Sequence, residues 1–150
     1  MSNEKNIKPE LLFPEFAGNS EWVMQKLGEI GEPLMCKRIL KKQTTSNPKS
    51  GIPFYKIGTF GREADAYISK ELYNEFKEKY SFPNKGDILI SASGTIGRLV
   101  VYDGLPAYFQ DSNIIWLGND EKKITNKLLF YCYSIANWQT SDGGIIKRLY

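Results

Sequence analysis

Ser91, Ser93 and Thr95 set three hydroxyls at alternate positions, and Arg98 follows in the same stretch, SASGTIGR. That combination suits an anion. Hydroxyls donate to phosphate oxygens, and arginine offers a fork of donors that matches a phosphate or the major-groove edge of guanine. Gly94 and Gly97 permit tight backbone paths and the close approach of a partner. The spacing fits neither common phosphate motif. A P-loop needs a lysine and Ser/Thr straight after its last glycine, opening a helix, and a dinucleotide fingerprint needs GxGxxG before a helix. Here Arg98 leads into the β-rich run RLVVY. A glycine hairpin whose hydroxyls satisfy their own turn explains the same residues, so both readings stay open at this point.

A second concentration of chemistry lies upstream. Residues 36–62 carry seven basic side chains (Lys37, Arg38, Lys41, Lys42, Lys49, Lys56 and Arg62) and no acid, although the net charge of the whole chain is only +3. Such a block raises the local potential and attracts polyanions; a solvated lysine-rich loop has the same composition. Inside it, Gln43, Thr44, Thr45 and Asn47 have donors and acceptors suited to base edges.

What is missing excludes several chemistries. Histidine is absent, which removes Ser-His-Asp and Cys-His centres and histidine-containing zinc sites. Cys36 and Cys132 cannot make an all-cysteine zinc site, and they read as reduced cytosolic cysteines, with no spacing that indicates a disulfide. SNPKS (Ser46–Ser50) shares only Asn47 and Pro48 with the NPPY motif of amino-methyltransferases, and no glycine motif for S-adenosylmethionine (SAM) precedes it. Asp87, Asp111 and the run Asp120–Lys123 make a poor two-acids-and-lysine nuclease pattern, and GNDEKK reads better as a turn before a helix. No apolar run approaches the ~20 residues of a membrane span, and the N-terminus lacks the order of a signal peptide.

The elements that must position these groups are short. A helical turn is expected within Trp22–Glu32, with Gly28 and Gly31 ending it. A strand is expected at the start of Glu32–Gly51, before the polar KKQTTSNPKSG, and another in Ile52–Gly61. Ser69 caps a helix to Tyr80 with Leu72, Phe76 and Tyr80 as its apolar stripe. DILIS, RLVVY, AYF and IIWL read as strands. Ile124–Gln139 reads as the strongest helix, with Ile124, Leu128, Cys132, Ile135 and Ala136 on one face. The expected fold is α+β: a curved, mostly antiparallel sheet of five to seven strands with a few flanking helices.

The order LLFPEF, KLGEIGE, GIPFYKIGTF, FPNKGDILISASGTIGRLVVYDG, AYFQDSNIIWL and GGIIKRLY resembles a target recognition domain from the DNA-specificity (S) subunit of Type I restriction–modification systems. GDILISASGTIGR is the most specific part, and the resemblance runs from about Pro9 to Tyr150. It implies the target-recognition-domain fold, with a leader at 1–20 and one such domain at 21–150, without spacer helices. It implies a cytoplasmic, non-catalytic protein that reads one half of a bipartite double-stranded DNA target for defence against foreign DNA. SAM, ATP and Mg²⁺ would belong to partner subunits and no cofactor to this chain. The implied partners are DNA, the modification (methyltransferase) subunit and through it the restriction subunit, with a second target recognition domain in a full assembly. A scaffold for methyltransferase subunits with weak DNA contact, or a DNA-acting enzyme, are the competing readings.

The expected DNA-facing residues are Lys37, Arg38, Lys41, Lys42, Gln43, Thr44, Thr45, Asn47, Lys56, Arg62, Ser93, Thr95 and Arg98. A loop shared by a family cannot read different targets. SGTIGR is therefore expected to shape the domain or touch phosphate, while Lys37–Ser50 and IGTFGREADAY do the variable reading.

Overall fold

The computed structural model describes residues 25–136 together with 14, 18 and 138. The leader, Trp22 and the tail TSDGGIIKRLY lie outside the described residues. A single helical turn, α1 (Leu27–Ile30), opens the described chain, with Gly28 inside the turn and Gly31 as its C-cap. Eight short strands follow among the described residues: β1 (Pro33–Leu34), β2 (Thr44–Thr45), β3 (Ile52–Tyr55), β4 (Ala66–Ile68), β5 (Ile88–Ser91), β6 (Leu99–Val101), β7 (Tyr108–Phe109) and β8 (Ile114–Leu117). Helix α2 (Lys70–Lys79) sits between β4 and β5, and α3 (Asn126–Ile135) follows β8.

The class is the expected one, but the strands divide into two four-stranded sheets instead of one. The first has the order β1-β8-β5-β6 and is antiparallel throughout. The second has the order β2-β4-β3-β7 and is antiparallel except where β3 runs parallel to β7. The strands ILIS and IIWL are buried at every position, as uninterrupted apolar runs predict for a sheet covered on both sides. Alternation then sorts their side chains. Leu89, Ile114 and Trp116 join the second sheet's Phe54, Ile68 and Tyr108 in one core. Ile88, Ile90, Ile115 and Leu117 join Leu129 and Tyr133 of α3 in another.

Both long helices begin at a side-chain cap, and α3 spans Asn126–Ile135 where the sequence predicts Ile124–Gln139. Ser69 Oγ accepts the N–H of Leu72 at 3.2 Å, and Thr125 Oγ1 accepts that of Leu128 at 3.2 Å. Their apolar faces differ from the expected stripes. In α2, Tyr73 is buried, Leu72 and Phe76 are half-buried and Tyr80 is exposed. Eight residues at 3.6 per turn put Tyr80 about 80° away from Leu72. In α3, Leu129 and Tyr133 are buried, while Leu128, Cys132, Ile135 and Ala136 are exposed. LLFYCY offers two adjacent apolar rows. Burying the tyrosine row removes more apolar surface than burying the cysteine row, so a turn of one residue position is favoured.

Candidate nucleic-acid interface

The loop between β5 and β6 is knotted by Ser91, which is almost fully buried. Its hydroxyl donates to the carbonyl of Thr95 and accepts the N–H of Arg98 at 2.8 Å, and the N–H of Gly97 bonds the Ser91 carbonyl at 3.0 Å. Ser91 is therefore spent on its own turn. Gly97 is required there: its φ is +89°, and a Cβ would come 2.3 Å from Cδ1 of Trp138. Ser93 and Thr95 remain nearer the surface, and Ser93 Oγ donates to Asn113 Oδ1 at 2.7 Å.

The same loop closes on the second sheet. Arg98 Nη1 donates to the carbonyl of Phe60 at 2.9 Å, so a residue at the start of β6 holds the β3–β4 connection. Gln110 Oε1 accepts the N–H of Ile57 at 2.9 Å and pins that connection from its other side. Between the two loops is a cavity of about 260 Å³ lined by Ile57, Gly58, Arg62, Ser91, Gly94, Thr95 and Arg98. Among the described residues, two guanidinium side chains line it and no carboxylate does. The glycine stretch is thus both things its residues allowed: a self-satisfied turn at Ser91, and the wall of a basic recess at Gly94, Thr95 and Arg98.

Gln110–Asn113 is a hub that the sequence reading did not single out, since QDSN reads equally as a turn or a polar break. It crosses from β7 in one sheet to β8 in the other. Gln110 holds Ile57, Asp111 Oδ2 pairs with Arg38 Nε at 3.0 Å, and Asn113 holds Ser93. The available signal was a run of four short polar residues directly after an aromatic pair, at the point where the chain changes sheets.

The acid-free block does not form a single patch. Lys41–Gln43 and Pro48–Ser50 are 3-10 turns at the Ile68 end of β4, where Thr44 pairs with Ile68. Lys56 and Arg62 lie in the connection at the Ala66 end. The three residues of β4 separate the ends by roughly 10 Å. Arg38 is neutralised by Asp111, Lys56 Nζ is 2.9 Å from Asp65, and Lys37 Nζ lies 5.1 Å from the centre of the Tyr80 ring. Lys41, Lys42, Lys49 and Arg62 have no carboxylate partner among the described residues.

The polar neighbours in that block first hold their own turns. Gln43 Oε1 accepts from Leu40, Thr44 Oγ1 donates to the carbonyl of Lys41, Thr45 Oγ1 accepts from Asn47, and Asn47 Oδ1 accepts from Lys49. Each keeps hydrogen-bonding capacity: the Gln43 and Asn47 amide groups still have two donors apiece.

Asp87 is buried, and its Oδ2 accepts the N–H of Asn84 at 2.7 Å. Desolvation outweighs that bond and holds its pKa above the ordinary aspartate value. A carboxyl raised on folding costs stability when ionised. The cost is fully present above the folded pKa and vanishes as the pH falls below the unfolded one. Asp87→Asn keeps an acceptor for Asn84, so it is expected to raise the melting temperature at pH 7 and lose that advantage near pH 3.5. Thermal unfolding of both proteins across this range checks it; a lower Tm for the variant at pH 7 would refute the sign. Among the described residues, no three His, Cys, Asp or Glu side chains gather where they could hold a metal ion, and no helix is long and apolar enough to cross a membrane.

Two sheets are joined by a polar crossover, and loops from both meet in a basic recess. Residues 19–149 match the family described as the Type I restriction modification DNA specificity domain, and the chain belongs to that family. It is 62% identical over 125 residues to a protein of Haemophilus influenzae named "Putative type I restriction enzyme specificity subunit". That match covers 83% of this chain and 32% of the relative, so the chain spans about a third of the relative's length. Its fold is similar to that of a chain from a structural study of complex assembly and conformational transition in the type I restriction–modification system. The TM-score is 0.55 at 20% identity, covering 83% of this chain and 31% of that one. The HsdS subunit of Thermoanaerobacter tengcongensis gives a TM-score of 0.53 at 18% identity, covering 73% and 26%.

Proposed function

We propose that this chain reads one half of a bipartite double-stranded DNA target and does no catalysis itself. The observation that carries this reading is the recess where two loops from different sheets are tied together by Arg98, with one of them also held to the crossover by Gln110, and with Arg62 but no carboxylate lining it among the described residues. Rigid clamping suits base and phosphate contacts, whose geometry must be held before binding. Lys41, Lys42 and Lys49 at the other end of β4 would supply phosphate contacts, and Gln43, Thr45 and Asn47 beside them the base contacts. Arg38, Lys37 and Lys56 would serve mainly through their existing partners.

In this reading residues 21–150 form one target recognition domain behind a leader. The protein works in the cytoplasm, and SAM, ATP and Mg²⁺ act on the modification and restriction subunits that it directs. One observation also favours a protein partner: Leu128, Tyr131 and Ile135 are exposed along one side of α3. That stripe suits contact with a modification subunit or another helical segment.

The test is selection of the purified chain against a randomised duplex library at low and moderate salt. Enrichment of a short motif supports the reading. Salt-sensitive retention without enrichment would remove the claim of specificity for the isolated chain, and no retention at either salt would move the function to a scaffold within a larger complex.

A further inference from the structure

We infer that the recess between residues 56–62 and 91–98 is a phosphate seat that takes one backbone phosphodiester of bound DNA. The inference rests on the DNA reading above and assigns a ligand to this one cavity. Four observations converge on it. Arg62 is exposed and makes no side-chain hydrogen bond to a described residue. Arg98 uses Nη1 on the Phe60 carbonyl, and a guanidinium has five N–H donors, so most of its fork is still available.

The backbone supplies the third observation. The N–H groups of Ser93, Gly94, Thr95 and Ile96 make no backbone hydrogen bond to a described residue, while those of Ala92 and Gly97 on either side do. Gly94, at φ +63°, turns the chain in the middle of that run. Backbone amides left without partners beside a left-handed glycine are available to an anion. Fourth, Gly94 and Thr95 are exposed at the mouth, so an oxygen outside the protein can reach them.

The lining also says which anion. Among the described residues, Ile57 is the only large apolar side chain in the wall and no aromatic ring lines it, so none of them stacks on a base there. The seat therefore recognises the phosphate itself. Arg62 and Arg98 come from different sheets, so a phosphate held between them ties DNA to the joint that Arg98 already closes. Ser91 is excluded as a ligand because both its hydroxyl roles are filled. Lys56 is excluded as a principal one by its pairing with Asp65.

The experiment uses the full chain in two arms. The first titrates inorganic phosphate, and separately dimethyl phosphate, into isotopically labelled protein while amide NMR shifts are followed. The expected result is a saturable shift of Gly94, Thr95 and Ile96 with both probes, and its loss in Arg62→Ala. Shifts with inorganic phosphate alone would overturn the diester assignment, and no shift in the loop with either probe would overturn the seat.

The second arm measures duplex binding against salt concentration. Arg62→Ala is expected to lower the slope of log K against log salt by about one, with Arg62→Lys restoring it. An unchanged slope in Arg62→Ala, with wild-type binding intact, sinks the seat and leaves the DNA reading standing. Absence of duplex binding by the wild type, with the loop shifts present, sinks the DNA reading and leaves an anion site. Arg62 is exposed and makes no side-chain hydrogen bond or ion pair to a described residue, so its variants are expected to melt with the wild type.

Discussion

Trp116→Ala is expected to destabilise the protein by about 3–5 kcal/mol, the range for emptying a large buried aromatic site. Trp116 is 1% exposed in β8, at the centre of the first sheet. It is paired with Leu89 on one side and Leu34 on the other. Its side chain belongs to the core that the two sheets share, so the cavity would open at their junction. Strands of two to four residues cannot close around such a gap by shifting register, because a one-residue slip would turn every buried side chain of β8 to the opposite face. Urea unfolding measures the effect as a lower midpoint with an unchanged slope. Trp116→Phe keeps most of the volume and is expected to lose less than half as much. A shift below about 1 kcal/mol for the alanine variant would mean that the sheets are not joined through this residue. DNA binding is expected to fall with folding, since Arg98 and Phe60 lie across the same junction.

The second large effect is on affinity. Replacing Lys41, Lys42 and Lys49 together by alanine is expected to lower the slope of log K against log salt by about 2.7. That corresponds to binding about 10²-fold weaker near 0.15 M salt. These three are chosen because no carboxylate among the described residues compensates them. All three are exposed, and their side chains cap no turn, so stability should change by no more than a few tenths of a kcal/mol. Arg38 and Lys56 make the contrasting pair. Each already faces a carboxylate, so replacing both should lower the slope by less than one. Equal losses in the two sets would show that the ion pairs open when DNA binds and that the whole block acts as one surface.

These contrasts could not be drawn from composition. The sequence counts seven cations between residues 36 and 62. The fold spends two of them on Asp111 and Asp65, stacks a third near Tyr80, and divides the rest between the two ends of β4. The glycine stretch behaves similarly. Its turn-forming character is local and legible, since small residues and two glycines can do little else between two apolar runs. Its second role depends on Phe60, which reaches it only through the tertiary fold.

What the sequence by itself determined was everything governed by neighbours a few residues apart. The apolar runs of β5 and β8, the cap Ser69, the turn around Ser91–Gly97 and the ordered motifs that carry the family resemblance are all of this kind. Tertiary structure decided the rest: the division into two sheets, the buried row of α3, and the clamps that make the recess. Arg38 meets Asp111 across 73 positions, Ile57 meets Gln110 across 53, and Arg98 meets Phe60 across 38. Periodicity and capping report which face a segment buries and where it ends. They carry no information about which distant segment it faces, because that choice is made by the packing of whole sheets and by the loops long enough to bridge them.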